Sequence, residues 1–348
     1  MLRVSLTNRE ADKLVPLFGG FCFFLSVIEL TIPKPLPFFR IGLANLPILM
    51  GIDIFSFPAF FLLLIVKVLG QAFISGTLFS YIILFSALGT ICSGLLMYSL
   101  KNIPRNLISF IGISIIGAFV SNSIQFLLAI FIIFGKSAVY IIPPMFAIGI
   151  ATSAFFGFFV NLFTETSIWY ESVKNGTYSF NLKEKKQISN KNKREKYLRL
   201  GSGLVLILLL LFTNFLPIKT VIFGVSLILC IVDKNRINFV NVIVLFTAIV
   251  FFNLFPPSGK IIFSFFNLNI TNDALVRGIE KAVIFESLIY LSKWMLKTKI
   301  NLKGSIGEPV SAAFCVFNRL FLVKNEFDRK NIIRSLDSIL LSIDKGLI

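Results

Sequence analysis

The sequence predicts an all-α, polytopic membrane protein, on three observations. Of the 348 residues, 56% are hydrophobic, and the mean hydropathy is +0.87. A soluble domain of this composition would expose large apolar patches, so the bilayer must surround much of the chain. Apolar stretches of about 20 residues, enough for a helix to cross about 30 Å of hydrocarbon, recur along the sequence.

Six apolar segments in the first half predict six membrane-spanning helices. They are Leu14–Thr31, Ile41–Gly51, Phe57–Ile74, Gly76–Leu100, Leu107–Phe134 and Tyr140–Thr164. The second is too short to span comfortably unless Phe38 and Phe39 extend it. The stretch Lys174–Arg199 carries nine Lys and Arg residues against two Glu, which places it in the cytoplasm by the positive-inside rule. Counting back from there puts the N-terminus in the cytoplasm and the proline-rich loop Pro33–Arg40 outside.

A second group of apolar segments follows the basic stretch. Three further spans are predicted: Leu200–Leu216, Ile218–Val232 and Ile237–Phe255. The short apolar segment Lys260–Ile270 is expected to be re-entrant. The segments Asp273–Trp294 and Arg329–Ile343 each have one apolar and one charged face. That pattern favours helices at a membrane surface or on a partner protein.

These segments predict three parts of the chain. Residues 1–165 form a six-helix membrane domain, residues 166–199 a basic cytoplasmic linker, and residues 200–348 a smaller membrane and coupling-helix module. We expect a multi-pass protein of the cell inner membrane with both termini in the cytoplasm.

Several functional classes are not expected. The net charge is +17, but it lies in loops and tails beside apolar spans, so nucleic-acid binding is excluded. Histidine is absent, which removes the commonest general base and zinc ligand. No Gly-x4-Gly-Lys-Ser/Thr loop and no Asp-Asp-x-x-Asp cluster occur. We therefore expect no catalytic residue, no metal and no cofactor, and ATP hydrolysis only in a partner.

Polar residues inside the predicted spans are candidates for a binding site. Lys67 lies about 15 Å into its span, where it either holds an anionic group or snorkels to the outer surface. Asn122 and Gln125 share one helix face, with Gln71 on another span, and either join helices or contact a ligand. Glu29, near the outer end of the first span, either lies at the membrane interface, which is the favoured interpretation, or pairs with Lys34 or Arg40.

The segment Arg40-Ile-Gly-Leu-Ala-Asn-Leu-Pro47 combines small residues, an amide and a proline. On the residues alone it is either a kinked, tightly packed helix start or a ligand contact. It resembles the signature of the Gx transporters, also labelled heptaprenyl diphosphate synthase component I. That family is similar to the S components of energy-coupling-factor importers, which implies a six-helix bundle over residues 10–165. The resemblance also implies a small solute near the outer face, with Pro33–Arg40 as a lid.

The second half resembles the transmembrane T component of the same importers. The segments that carry this likeness are Pro256–Lys260, Ala274–Ala282 and Leu291–Lys293. The resemblance implies coupling helices that dock on cytoplasmic ABC-type ATPase subunits. Where that family has an Ala-Arg-small motif, this chain has Val276-Arg277-Gly278 and Asn318-Arg319-Leu320, so Arg277 and Arg319 are the candidate coupling contacts.

The function predicted is therefore a substrate-binding and scaffold subunit of a primary-active importer of a small solute. The candidate substrate-binding residues are Gly42, Asn45, Lys67, Asn122 and Gln125. The predicted partners are membrane lipid, the solute and the ATPase subunits. The alternative is a non-catalytic membrane accessory component of heptaprenyl or polyprenyl diphosphate synthesis.

Overall fold

A computed structural model describes residues 13–31, 41–104, 107–178, 193–235, 237–255, 261–265, 268–296, 304–323 and 331–344. These residues form thirteen α-helices and a two-stranded antiparallel hairpin. The all-α prediction is confirmed. The expected lid at Pro33–Arg40 and the Pro256–Lys260 segment lie outside the described residues.

The helices are α1 Val15–Thr31, α2 Leu46–Gly51, α3 Phe57–Ser75, α4 Tyr81–Ser99, α5 Phe110–Leu128, α6 Ile142–Thr166, α7 Ile168–Lys174, α8 Lys193–Phe212, α9 Leu216–Val232, α10 Phe239–Asn253, α11 Asn272–Leu296, α12 Gly307–Val323 and α13 Ile332–Asp344. A 3₁₀ turn, Leu43–Asn45, precedes α2, and a π-helical turn, Ala129–Phe134, continues α5.

Four helices of the described chain are long and apolar enough to cross a bilayer. They are Phe57–Ser75, Tyr81–Asn102, Phe110–Phe134 and Pro143–Thr166. Four further apolar helices are shorter: Val15–Thr31, Tyr197–Phe212, Leu216–Val232 and Phe239–Asn253. The protein is thus a membrane-embedded helical protein.

The predicted second span, Ile41–Gly51, is not one continuous helix. The six-residue α2 is preceded by a 3₁₀ turn, and every residue of Leu46–Ile52 is buried. Six helical residues rise only about 9 Å. Irregular backbone of this kind is tolerated at membrane depth because the surrounding helices cover it. The segment therefore lines the inside of the bundle.

Helix α12 packs along α1 of the N-terminal bundle. A Cβ on Gly20 would lie 2.6 Å from the Val316 Cβ, and one on Gly19 would lie 3.1 Å from the Ala313 Cβ. Only glycine permits so close an approach between two helices. Since α12 belongs to the predicted C-terminal module, that module contacts the predicted N-terminal membrane domain. The domain boundaries at residues 165 and 199 stay a prediction.

The expectation that Arg329–Ile343 forms a surface helix needs correction. Helix α13 packs on α7, and Leu336, Ile339 and Leu340 are buried there. Asp337 accepts hydrogen bonds from the Ser167 hydroxyl and from the Trp169 backbone N–H, the latter at 2.9 Å. Asp337 of the charged face thus binds the start of α7, while Arg334 is exposed.

The expectation that Asp273–Trp294 lies at a membrane surface or on a partner protein is wrong for the second half of this segment. The second half of α11 is buried against α8, α9 and α10. Glu280 forms an ion pair with Lys219 of α9, and Lys281 donates to the Asn253 Oδ1 of α10 at 3.2 Å. Two of the charges that suggested an external partner are therefore bound within the protein.

Helix α11 lies across one end of the N-terminal bundle. An apolar cluster joins this helix to the start of α4, the end of α5 and the start of α6. The residues of α11 in the cluster are Ala282, Phe285 and Ile289. Close to the C-terminal end of α11, the Ser292 hydroxyl accepts from the Phe79 N–H at 3.0 Å. The charge pattern predicts that this end of the bundle is the outer one.

The segment Lys260–Ile270, expected to be re-entrant, contains a β-hairpin. Strand β1 is Ile261–Phe265 and β2 is Leu268–Thr271, paired antiparallel from Ile261 with Thr271 to Phe265 with Leu268. A two-stranded hairpin leaves unpaired edges that hydrocarbon does not tolerate. The hairpin is therefore better suited to an interface than to the hydrocarbon core.

The predicted orientation gives a first test. Asn175 is exposed within the basic stretch, and Val139 is exposed at the opposite end of the bundle. In a background without the native cysteines, we expect Asn175→Cys in intact cells to resist an impermeant thiol reagent. The control variant Val139→Cys should be labelled, and permeabilised cells should label both. Labelling of Asn175→Cys from outside would invert the predicted orientation.

Candidate functional site

A buried polar cavity of about 60 Å³ lies between α3, α4, α5, α6 and the turn before α2. All five candidate substrate-binding residues line it: Gly42, Asn45, Lys67, Asn122 and Gln125. They come from three separate parts of the sequence, which the fold brings together around one cavity. Their role in binding remains a prediction.

Lys67 lies inside the bundle. The residue is 2% exposed, and its Nζ donates to the Asn45 Oδ1 at 2.6 Å and to the Thr90 Oγ1 at 2.9 Å. The ammonium therefore does not extend to the outer surface, as the snorkelling alternative required. An ammonium that donates to these two neutral oxygens can also attract an anion that enters the cavity.

Backbone geometry places the Asn45 side chain beside Lys67. Gly42 has a φ of 99°, a left-handed conformation that glycine adopts without strain. Pro47 occupies the first turn of α2, where its missing N–H costs nothing. Asn45 is the N-cap residue of α2 but makes no side-chain capping bond. Its amide oxygen is therefore free of the cap and accepts from Lys67 instead.

Two buried polar atoms in the cavity lack a hydrogen-bond partner within the described structure. They are the Gln125 Oε1 and the Ser86 Oγ, on residues that are 4% and 3% exposed. The Gln125 Nε2 donates to the Ser121 Oγ at 3.1 Å, so only its carbonyl side is unsatisfied. Leaving such groups unpaired costs about 1–3 kcal/mol each. A ligand or water in the cavity would remove that cost.

Close helix packing shapes the cavity wall around Asn122. Its Nδ2 donates to the Met145 carbonyl at 3.4 Å. A Cβ added to Gly149 would collide with the Asn122 amide. The glycine therefore makes the space that the amide occupies.

Sequence reasoning missed the hydroxyl groups of α4. Ser86, Thr90 and Ser93 line the cavity at i, i+4 and i+7, a spacing that puts them on one helix face. This spacing is visible in the sequence and indicates that the three hydroxyls share a helix face. Gln71 lines a different cavity, and the Glu29 Oε1 accepts from the Ile41 N–H at 2.9 Å; the partners considered for Glu29, Lys34 and Arg40, lie outside the described residues.

The cavity lining suits the binding of an anion. It presents one ammonium, three amide side chains and several hydroxyls, and no carboxylate is among its described residues. In the part of the chain that the structure describes, no group of three or more His, Cys, Asp and Glu could hold a metal ion. The arrangement can neutralise an anion and satisfy it with hydrogen bonds.

The structure does not bring the two candidate coupling arginines together. Arg277 lies on α11, where the adjacent Gly278 approaches the Val250 backbone of α10. That part of α10 adjoins the predicted outer end, because the Phe252 ring lies 5.8 Å from the Phe134 ring. Arg319 lies on α12, which packs on α1.

Two family models match separate parts of the chain. Residues 195–298 match a domain of unknown function, DUF8519. No curated protein and no solved structure matches the chain. Residues 18–163, which include all five candidate substrate-binding residues, match the family described as heptaprenyl diphosphate synthase component I, so the likeness noted at Arg40–Pro47 extends over the N-terminal bundle.

Proposed function

We propose that the N-terminal bundle binds a small anionic solute and that the chain serves as the binding and scaffold subunit of a primary-active importer. The observation that carries this proposal is the buried cavity around Lys67. A lysine within an apolar bundle is costly to bury, and its presence there therefore supports a functional role. The two unsatisfied polar atoms beside it support a site that is completed by a ligand.

The size of the cavity limits the solute. A volume of 60 Å³ accommodates about four water-sized atoms, at about 15 Å³ for each. In this conformation the site therefore suits a compact anion of about four or five non-hydrogen atoms. A larger solute requires α4, α5 or α6 to move outward.

The solute should also meet the cavity's neutral groups. The Gln125 Oε1 accepts hydrogen bonds, and the Ser86 hydroxyl both donates and accepts. An anion that carries at least one N–H or O–H group would satisfy Lys67 and Gln125 together. A protonated oxyanion or a hydroxylated carboxylate has this combination.

Energy for import would come from ATPase subunits in the cytoplasm, a proposal that rests on the resemblance to T components. The geometry favours Arg319 over Arg277 as a contact, because Arg277 lies near the predicted outer end. A guanidinium can bind a carboxylate or helix-end carbonyls through two parallel hydrogen bonds. Loss of one such buried contact would cost about 2 kcal/mol or more.

Co-purification tests the importer proposal. Wild-type protein from native membranes should retain P-loop ATPase subunits. We expect Arg319→Ala to retain at least tenfold less, as a loss of about 2 kcal/mol implies, and Arg277→Ala to retain nearly as much as wild type. Absence of ATPases from the wild-type preparation would remove the main support for the importer.

The accessory role remains the second candidate because of the match to the component I family. In that case the protein would bind a soluble prenyl synthase at the membrane. Recovery of a prenyl synthase instead of ATPases in the same experiment would favour this role. The cavity around Lys67 is too small to enclose a prenyl chain, so the accessory role would leave it unexplained.

A further inference from the structure

A second, larger cavity of about 180 Å³ separates the N-terminal bundle from α10 and α11. Its polar lining comes from both sides: Ser26, Glu29, Gln71, Glu286, Tyr290 and Lys293. Asn241, which is exposed, also lines the cavity. The cavity involves none of the residues placed around Lys67.

Two carboxylates and one ammonium contribute charge to this lining. Glu286 is 2% exposed, and its Oε1 has no hydrogen-bond partner in the described structure. Glu29 faces it from α1 and is buried as well. The Lys293 Nζ lies 4.9 Å from the centre of the Tyr290 ring. With all three groups ionised, the lining carries one net negative charge.

A buried carboxylate oxygen without a partner is unstable. Burial of a polar group without a hydrogen bond costs several kcal/mol, and burial of an unpaired charge costs more. Glu286 can be stabilised either by a proton or by a cation inside the cavity. The space beside it is open, so the second route is available.

We propose that this cavity is a binding site for a small organic cation, with the cationic group between Glu286 and Glu29. Its volume accommodates about twelve water-sized atoms, which suits a molecule of about ten non-hydrogen atoms. Leu30, Ile82 and Leu245 supply an apolar wall for its body. The net negative lining selects positive charge, since the ligand neutralises it.

An organic cation fits better than a metal ion. Two carboxylates with an ammonium in the same lining give a poor ligand set for a metal, because the Lys293 ammonium has no lone pair to donate. Hard cations also need six or more oxygens at short distances, and a cavity of 180 Å³ is far larger than a single ion. This site does not depend on the proposed import function.

Thermal unfolding of the full-length protein in detergent tests the proposal. We use 2-phenylethylamine as the probe and 2-phenylethanol as its uncharged analogue of the same size. The amine should raise the unfolding temperature of wild type, because ligand that binds only the folded state stabilises it. The alcohol should not.

Variants test whether the amine raises the unfolding temperature by binding in this cavity. Glu286→Gln should weaken the apparent affinity for the amine at least tenfold. Lys293→Met should strengthen it, because a repelling charge is removed. Glu165→Gln, at an exposed carboxylate on α6, is the matched control and should respond as wild type does.

Several outcomes would overturn the proposal. They are no stabilisation of wild type by the amine, equal stabilisation by the alcohol, or an undiminished response in Glu286→Gln. If Glu286→Gln does not fold, Lys293→Met provides the test. The proposal is overturned if the apparent affinity of Lys293→Met for the amine is no higher than that of wild type. Stabilisation by calcium or sodium chloride but not by the amine would indicate an inorganic cation instead.

Discussion

Replacing Lys67 with methionine should abolish tight binding of small anions while the protein still inserts and stays monodisperse. Methionine is an unbranched side chain only one atom shorter than lysine, and it removes the charge and the bonds to Asn45 and Thr90. Removing one member of a buried charged contact costs about 2–5 kcal/mol, which corresponds to a loss of affinity of roughly 30-fold or more. The measurement is a titration of the detergent-solubilised protein with compact anions such as phosphate and acetate.

An exposed lysine provides the matched control for that experiment. Lys234 lies in the turn between α9 and α10, outside the cavity, and Lys234→Met should bind anions as wild type does. If Lys67→Met also binds them unchanged, the lysine is structural and the solute must be sought elsewhere in the bundle.

Gly157→Ala should cause a large loss of stability in the N-terminal bundle. The new Cβ would lie 2.6 Å from the Ile111 Cα and 2.9 Å from the Phe110 carbonyl oxygen. Both are backbone atoms of α5, so no side chain can rotate to make room. Overpacking of this kind costs about 1–3 kcal/mol, and close contact is the main attraction between helices in lipid. Reversible unfolding in mixed detergent micelles measures the change.

Gly224→Ala on α9 tests the same substitution without a clash. A Cβ there meets nothing within 4 Å. Alanine is the better helix former by about 0.5–1 kcal/mol, so this variant should be as stable as wild type or slightly more so. Equal destabilisation by both variants would show that the α5–α6 contact at Gly157 is not tight.

Hydropathy predicted the helical class because each apolar run must satisfy its own backbone hydrogen bonds in lipid. The position of Lys67 within such a run, and the i, i+3 spacing of Asn122 and Gln125, marked them as candidates before any tertiary contact was known. The hydroxyls of Ser86, Thr90 and Ser93 carried a weaker signal, since serine and threonine are common in membrane helices and bond to their own backbone.

The contacts of the C-terminal helices could not be predicted in this way. An amphipathic pattern shows that one face is covered but not by what. For α11 the charged face also found partners within the chain, because Lys219 lies within an apolar segment and needs a counterion. Asp337 lies on the charged face of α13, yet it binds Ser167 and Trp169 of the N-terminal half. Such pairs join residues far apart in sequence, which a local pattern does not encode.

Mass spectrometry of the small molecules released from the purified protein tests the central claim most directly. Wild-type protein and Lys67→Met are isolated in parallel from the same cells, denatured, and compared for released solutes. The proposed site predicts that a compact anion is released from wild type in near-equal molar amount and is missing from the variant. A wild-type preparation that releases no such anion, or a variant that releases the same amount, would contradict it.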